Sequence, residues 1–217
     1  MKNQDVPEVI KRLRSEVKNW RTTTLTEIAL TGKPFLVLVS CVLSLRTKDE
    51  TTADACKRLF PLANTPAEII ELGQEKLAEL IYPVGFYNNK AASIIDNCKN
   101  IIERYDGKTP DSIEELLTLK GVGRKTANLV ITLGFGKPGI CVDIHVHRIF
   151  NRLGYIETKT PDETESVLRK KLPKEYWIES NDLLVAFGQN HCHPISPRCS
   201  TCRISEFCKR IGVTKHR

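Results

Sequence analysis

Apolar residues recur every three or four positions over most of the chain, and this spacing predicts helices. One stripe lies in residues 6–20, another runs from residue 91 to residue 102, and an almost wholly apolar run over 34–45 predicts a central core helix. The first stripe consists of Val6, Val9, Ile10, Leu13, Val17 and Trp20. No segment shows the two-residue alternation of a half-buried strand. The sequence therefore predicts an all-α fold.

Capping residues mark several helix starts. At residues 65–68 and 160–163 a threonine is followed by proline and, three residues after the threonine, by glutamate, which is typical of a capping box. Residues 109–110 are again threonine and proline, and an aspartate precedes another amphipathic stretch. The sequence predicts N-terminal caps at Thr65, Thr109, Asp143 and Thr160.

Residues 110–134 predict two short helices joined by a tight turn. The first helix covers 110–120, Gly121 and Gly123 break the pattern, and the second helix begins at Arg124. Glycines allow positive φ and leave the backbone bare, so N–H groups at the start of the second helix can approach a phosphate. Most Gly-x-Gly turns only end a helix. The basic residues that follow this one favour a site for a nucleic-acid backbone.

Composition agrees with a polyanionic partner without requiring one. The chain has 217 residues, enough for one large or two small domains, and its 33 Lys and Arg against 26 Asp and Glu give a formal net charge of +7. The N-terminal residues lack the apolar stretch of a signal peptide, and the run over 35–45 is too short to span a bilayer. We therefore expect a cytoplasmic protein without a membrane partner.

Four of the eight cysteines lie within seventeen residues, with the spacing C-x6-C-x2-C-x5-C. They are Cys192, Cys199, Cys202 and Cys208. Both zinc and a [4Fe–4S] cluster accept four thiolates, and zinc sites usually pair two short knuckles, of which only one is present here. His191 and His193 flank the first cysteine and are further candidate ligands. The other four cysteines fall on apolar faces and read as small core residues.

Together these features closely resemble the endonuclease III family of helix-hairpin-helix base-excision DNA glycosylases. The resemblance runs from about residue 35 to residue 208, and it rests on residues 119–128 with 142–145 and on the cysteine spacing. It implies a six-helix barrel domain over 27–137 and an Fe–S cluster domain formed by 1–26 and 138–217. It also implies that the four cysteines hold a [4Fe–4S] cluster and that DNA crosses the cleft.

The resemblance further implies that Lys125 is the nucleophile and Asp143 the catalytic carboxylate. An uncharged amine can attack C1′ of the deoxyribose, displace the base and form a Schiff base, after which β-elimination nicks the strand. An ionised carboxylate can stabilise the cationic sugar or take a proton. Alone, Lys125 would be a phosphate contact and Asp143 a plain cap. The pair favours catalysis. Related adenine glycosylases lack a lysine at this position, so Lys125 favours a combined glycosylase and lyase.

Extruding a base requires side chains that fill the gap in the duplex. In the family one wedge lies in the loop that matches residues 85–87, which nominates Phe86. The other is usually a glutamine, and Arg46 stands in its place here, a departure that bears on the preference for damaged base and opposite base. We predict DNA contacts at Arg46, Phe86, Gly121, Val122, Gly123, Arg124, His145 and Arg148.

The implied function is removal of oxidised pyrimidines from duplex DNA and nicking of abasic sites in base excision repair. The expected partner is double-stranded DNA with damaged bases or abasic sites, bound by a monomer, on the nucleoid if the source is a prokaryote. Arg46 keeps open a thymine or uracil mismatch glycosylase. A non-enzymatic helix-hairpin-helix protein would bind DNA structures without cleavage. A cluster-based electron-transfer protein would not need the hairpin.

Overall fold

A computed structural model describes residues 1–18 and 24–217. Helices and turns make up these two ranges, in which no strand occurs, so the prediction of an all-α fold is confirmed. Trp20, predicted in the first helix, lies outside the described residues. The helices, in chain order, are α1 (Val6–Val17), α2 (Thr24–Ala29), α3 (Pro34–Ser44), α4 (Asp49–Leu59), α5 (Pro66–Leu72), α6 (Gln74–Ile81), α7 (Tyr87–Tyr105), α8 (Ile113–Leu116), α9 (Arg124–Leu129), α10 (Ile144–Arg152), α11 (Pro161–Lys171) and α12 (Trp177–Asn190).

The chain divides into two compact units. The hairpin unit is Thr22–Lys137, and the cysteine unit combines Met1–Arg21 with Pro138–Arg217. The family resemblance implied division at residues 27 and 138. In both descriptions one unit is continuous and the other is built from the two ends of the chain.

Helix α3 forms the centre of the hairpin unit. All nine of its residues from 35 to 43 are buried, and it packs against α2, α4, α7 and α9. An apolar run without a polar face can be accommodated only where a helix is covered on all sides. The prediction that this run is the central core helix is therefore confirmed.

Helix α9 continues into a π-helical turn, Val130–Gly134, where the spacing had predicted a regular helix. Gly134 lies against the start of α3, since a Cβ at this position would be 3.1 Å from the Cα of Pro34. The absence of a side chain lets the widened turn approach α3 closely, and this packing is the physical reason for the departure from regular helical geometry.

The capping predictions differ in outcome. Thr65 forms the complete capping box with Glu68, whereas Thr160 accepts from the N–H of Glu163 but the Glu163 carboxylate accepts from the N–H of Lys159 instead. The cap predicted at Thr109 is wrong. Helix α8 begins three residues later, where the Ser112 hydroxyl accepts from the N–H of Glu115 at 3.3 Å.

The cysteine unit is built on α1, α10, α11 and α12 around one apolar core. Its buried residues include Leu13 of α1, Ile149 and Phe150 of α10, Leu168 of α11 and Phe187 of α12. Two short 3₁₀ turns, Cys199–Thr201 and Ser205–Phe207, follow α12 and complete the unit. The first and last segments of the sequence thus share a core.

Candidate catalytic and DNA-binding sites

The turn between α8 and α9 has the shape of a hairpin with an open outer surface. Gly121 has φ +74°, which L side chains rarely adopt, whereas Gly123 is extended with φ −96° and ψ 179°. Only Gly121 therefore needs the positive φ expected of both glycines. No heavy atom beyond the chain neighbours lies within 4 Å of where a Cβ would stand on either glycine. Val122, between them, is buried and fixes the turn to the unit.

Helix α9 begins without a side-chain cap. Gly123 occupies the cap position, and its carbonyl accepts from the N–H of Ala127 at 2.9 Å. The first turn contains no acidic residue, and Arg124 and Lys125 are exposed there. The start of α9 thus combines the positive end of the helix dipole, a bare glycine backbone and two cationic side chains. This is the arrangement expected of an anion site.

Lys125 lies near the buried thiol of Cys41 on α3. Burial raises the pKa of Cys41 to about 12, and the positive charge of Lys125 is close enough to oppose this shift. Cys41 is 1% exposed, whereas Lys125 is exposed. Lys125 therefore lies on a helix that packs against α3, with its amine open to solvent.

Two residues of α7 that the sequence analysis did not single out hold the hairpin in place. The side chain of buried Asn97 donates to the carbonyl of Lys120 at 2.9 Å and accepts from its N–H at 2.7 Å. The Lys120 ammonium binds the Asp96 carboxylate, which lowers the pKa of that carboxyl. Asn97 interrupts the buried stripe of α7, and a polar residue in such a stripe was the available signal.

Arg46 and Phe86, the two predicted wedges, lie side by side in the hairpin unit. Each is an exposed residue in a loop, Arg46 after α3 and Phe86 before α7. The Arg46 guanidinium carbon lies over the Phe86 ring, 5.9 Å from its centroid. Core packing had been the alternative for Phe86, and its 61% exposure excludes this. Both side chains are available to a large ligand.

Asp143 caps α10 as predicted. Its Oδ1 accepts from the N–H groups of His145 and Val146, both at 2.9 Å. Both bonds use the same oxygen, so Oδ2 is not needed for the cap. The two N–H donors fix the orientation of the carboxyl group. The residue therefore offers a carboxyl group at a fixed position in the cysteine unit.

His145 and Arg148 are joined to each other and to the segment that follows α12. Nη2 of Arg148 lies 3.0 Å from Nδ1 of His145 and donates to the carbonyls of Gly188 and Cys192 at 3.2 and 2.9 Å. A Cβ on Gly188 would lie 2.4 Å from Nδ1 of His145, so only glycine fits there. These contacts give Arg148 a position inside the unit. Its contact with DNA stays a prediction.

The four clustered cysteines converge on one pocket. It is lined by Cys192, Cys199, Cys202 and Cys208 together with Phe187, Ile204 and Arg152. Among the described residues, no three His, Cys, Asp or Glu side chains form a group that could hold a metal ion. The buried guanidinium of Arg152 donates to the sulfur of Cys192 at 3.4 Å and to the carbonyls of His193 and Pro194, both at 2.6 Å.

Residues 39–174 match the family model described as the HhH-GPD superfamily base excision DNA repair protein. The chain belongs to this superfamily. A curated relative is endonuclease III of Thermotoga maritima, which is 48% identical over 81% of the chain and 83% of its own length. The chain spans 47% and 49% of the length of two chloroplastic endonuclease III homologues of Arabidopsis thaliana.

Solved structures of this superfamily extend the match to almost the whole chain. A non-covalent endonuclease III–DNA complex has a TM-score of 0.82 and 33% identity, and covers 97% of this chain and 96% of its own. A trapped endonuclease III–DNA covalent intermediate has the same TM-score and identity and covers 97% of each chain. The two-domain helix-hairpin-helix glycosylase fold is therefore shown. No helix in the two described ranges combines the length and the apolar character needed to cross a membrane.

Proposed function

We propose that this HhH-GPD protein removes oxidised pyrimidines from duplex DNA and then nicks the abasic site. It acts as a monomer in the cytoplasm, on the nucleoid if the source is a prokaryote. It is a bifunctional DNA glycosylase and abasic-site lyase of base excision repair. The observation that carries the residue assignment is Lys125, an exposed amine in the first turn of a helix that starts without a side-chain cap. The covalent endonuclease III–DNA intermediate among its structural relatives supports a nucleophilic mechanism.

Lys125 supplies the nucleophile. Its uncharged amine attacks C1′, the bond from C1′ to the base breaks, and the base leaves with the electron pair and takes up a proton. The bound nitrogen then loses a proton, the C1′–O4′ bond breaks, and O4′ takes up a proton, so that the sugar ring opens and a protonated Schiff base forms. The Schiff base makes the C2′ proton acidic, and loss of that proton breaks the C3′–O bond and expels the 3′ phosphate by β-elimination. Water then releases the lysine. Its place in the first turn of α9 supports this role, because a group carried on a helix is better oriented than one on a loop, and an oriented amine raises the effective concentration of the attacking group.

Asp143 supplies the negative charge that the reaction needs. The sugar becomes cationic as the base leaves, and a fixed carboxylate stabilises that transition state without having to reorganise. The two N–H donors on Oδ1 keep the side chain oriented, and the cap leaves Oδ2 for the sugar or for a proton. Asp143 is therefore both the cap of α10 and the catalytic carboxylate.

The DNA backbone binds at the hairpin turn. Backbone groups of Gly121, Val122 and Gly123 and the side chain of Arg124 contact a phosphate at the start of α9, where the helix dipole favours an anion. Arg46 and Phe86 fill the space left by the extruded nucleotide. His145 and Arg148 contact the strand from the first turns of α10. The DNA complex among the solved relatives supports a duplex as the ligand.

Cys192, Cys199, Cys202 and Cys208 hold a [4Fe–4S] cluster. The donor set fits, because four thiols line one pocket and the Arg152 guanidinium and the N–H of Arg210 point at two of the sulfurs. Nε2 of His191, on the same pocket, is buried and has no hydrogen-bond partner among the described residues, and a sulfide-containing group offers acceptors for it. When bound, the cluster supplies four iron–thiolate bonds that hold together a segment with little core of its own.

Borohydride trapping on an abasic-site duplex tests the assignment of Lys125. Reduction of the Schiff base joins protein and DNA covalently, so Lys125→Ala should abolish trapping while most of the DNA affinity remains. Lys108→Ala removes an exposed amine that precedes α8 in the same unit, and this variant should trap normally. Trapping of Lys125→Ala at normal yield would mean that another amine is the nucleophile. Affinity without any trapping or base release by the unaltered protein would instead favour the non-enzymatic binder.

Metal analysis tests the cluster. The purified protein should be yellow-brown and contain iron, and Cys199→Ala or Cys202→Ala should give poorly folded protein. Cys98→Ala changes a buried cysteine outside the pocket and should leave the iron content unchanged. One zinc and no iron per chain would refute the assignment.

Arg46 favours a second candidate function, a thymine or uracil mismatch glycosylase. A guanidinium in place of the usual glutamine offers only donors to the opposite base. A panel of duplexes distinguishes the two functions. Each duplex carries a single oxidised pyrimidine, uracil or mismatched thymine, and base release and nicking are assayed separately. Faster release from the mismatches would select the second.

A further inference from the structure

The two wedge residues lie in backbone conformations that L residues rarely adopt. Arg46 has φ 52° and Phe86 has φ 58°, both in the left-handed region, and neither is a glycine. Such conformations persist only where the surrounding structure holds them, and they occur often at functional sites. We call residues 45–48, which carry Arg46, the first wedge loop and residues 82–86, which carry Phe86, the second wedge loop.

Lys90 holds the first wedge loop. It lies in the first turn of α7 and is only 7% exposed, and its ammonium donates to the carbonyls of Leu43 at 2.8 Å and Leu45 at 2.6 Å and to the Thr47 hydroxyl at 3.1 Å. Three N–H donors thus meet three acceptors at the C-terminal end of α3, where unpaired carbonyls and the helix dipole favour a cation. Burial lowers the pKa of Lys90 to about 8, because the ammonium is partly removed from water.

The same lysine is bonded to the second wedge loop through its backbone. The N–H of Lys90 donates to the carbonyl of Phe86 at 3.0 Å. Lys90 therefore contacts the residue next to Arg46 with its side chain and Phe86 itself with its main chain.

Thr47 and Gly85 join the two loops directly. The Thr47 hydroxyl donates to the carbonyl of Leu45 at 3.2 Å and accepts from the N–H of Gly85 at 3.2 Å in addition to the ammonium of Lys90. A Cβ on Gly85 would stand 2.7 Å from the carbonyl oxygen of Arg46, so the two backbones are in contact. The hydroxyl uses its one donor and both acceptor positions on this junction.

We propose that Lys90 is a positioning residue that, through Thr47, braces the two wedge loops so that Arg46 and Phe86 enter a DNA duplex as one rigid pair. The inference rests on the proposed function. Opening a base stack costs several hydrogen bonds and stacking contacts at once, and a pair of side chains held in advance loses little conformational freedom on insertion. An arginine and a phenylalanine on two independent loops would each have to be ordered by the DNA.

Lys90→Met and Thr47→Val test whether Lys90, through Thr47, holds the two wedge loops. Methionine keeps the apolar stem of the lysine, and valine keeps the shape of threonine, whereas Lys76→Met removes an exposed lysine of α6 as a control. The first readout is the fluorescence of 2-aminopurine opposite an uncleavable abasic analogue in a duplex, which rises when the stack opens. The second is the single-turnover base-release rate from a damaged duplex, compared with lyase cleavage of an abasic site in a single strand, which needs no wedge.

Both variants should lose most of the fluorescence rise, and base release from the duplex should fall by about 10- to 100-fold, as for a displaced positioning group. Single-strand cleavage should change little, and Lys76→Met should match the unaltered protein. Phe86→Ala added to Lys90→Met should cost less than the product of the two single effects, because both act on the same insertion.

Two results would overturn the brace: folded Lys90→Met and Thr47→Val proteins with an unchanged fluorescence rise, or equal losses on duplex and single strand. If Lys90→Met does not fold, the result for Thr47→Val alone decides whether the proposal stands, since the Thr47 side chain lies near the surface, between the two wedge loops. The fluorescence assay needs no chemistry. A protein that opens the duplex but releases no base would contradict the proposed function and leave the brace standing.

Discussion

Helix α9 begins after Gly123, whereas α10 begins after Asp143. The two helices differ in what binds the backbone N–H groups of their first turns. Asp143 accepts from two of these groups with its own carboxylate. Gly123 has no side chain to offer, and two cationic residues follow it. A start that is capped internally presents a fixed negative charge, and a start without a side-chain cap presents a positive site for an external anion. In the proposed reaction, the carboxylate stabilises the sugar cation and the positive site binds a phosphate.

The largest effect is expected at Asp143. Asp143→Asn keeps the size and the capping oxygen, so the fold should survive with a loss of about 1 kcal/mol. Because the negative charge is removed, base release should fall by about two to four orders of magnitude. Affinity for a duplex with an uncleavable abasic analogue should stay the same or increase, since a carboxylate repels phosphates.

Single-turnover base release and equilibrium binding check this expectation. Asp162→Asn, at an exposed acidic residue in the first turn of α11, is the matched control and should change neither quantity. Weaker binding of Asp143→Asn with an intact rate would make Asp143 a structural cap only.

Gly123→Asp converts the start of α9 into a start like that of α10. The new carboxylate can cap the helix, so the melting temperature should stay the same or rise. Duplex affinity should fall about tenfold, because a negative charge now occupies the end of the helix that favours an anion. Gly123→Asn caps without charge and should lose much less affinity. Equal losses for both variants would mean that the shape of the turn, rather than its charge, is what the phosphate requires.

The smallest effect concerns the turn itself. Gly121→Ala places a Cβ on a residue with φ +74° and should lower the free energy of unfolding by about 1–2 kcal/mol. Gly123→Ala meets nothing within 4 Å and has an ordinary φ, so it should cost less. Urea unfolding followed by circular dichroism compares them. A larger loss for Gly123→Ala would contradict the distinction between the two glycines.

Local patterns accounted for most of the helices and for part of the site. The stripe of α7, the apolar run of α3 and the caps at Thr65 and Asp143 depend on residues within four positions of each other, so the sequence shows them directly. The motif residues of the hairpin and the spacing of the cysteines were also visible, and the family they indicate is confirmed.

The long-range contacts were not visible in this way. Lys90 bonds to carbonyls about 45 positions earlier, Asn97 to Lys120 across 23 positions, and Arg148 to the carbonyl of Cys192 across 44. Their acceptors are mostly backbone carbonyls, which every residue has, so no sequence pattern marks them. The only signal is a polar residue in an apolar stripe, and this signal does not name its partner.

What the sequence determined by itself is therefore which segments become helices, which ends are capped, and which side chains have the chemistry of a nucleophile, a carboxylate and four thiolate ligands. Tertiary structure alone decided that α9 ends in a π-helical turn against Pro34, and that Arg46 and Phe86 lie together beside a buried lysine. The physical reason is the separation along the sequence of the residues that interact. Helix formation and capping are determined within one or two turns of chain, whereas burial and backbone strain depend on which distant segment comes to lie alongside.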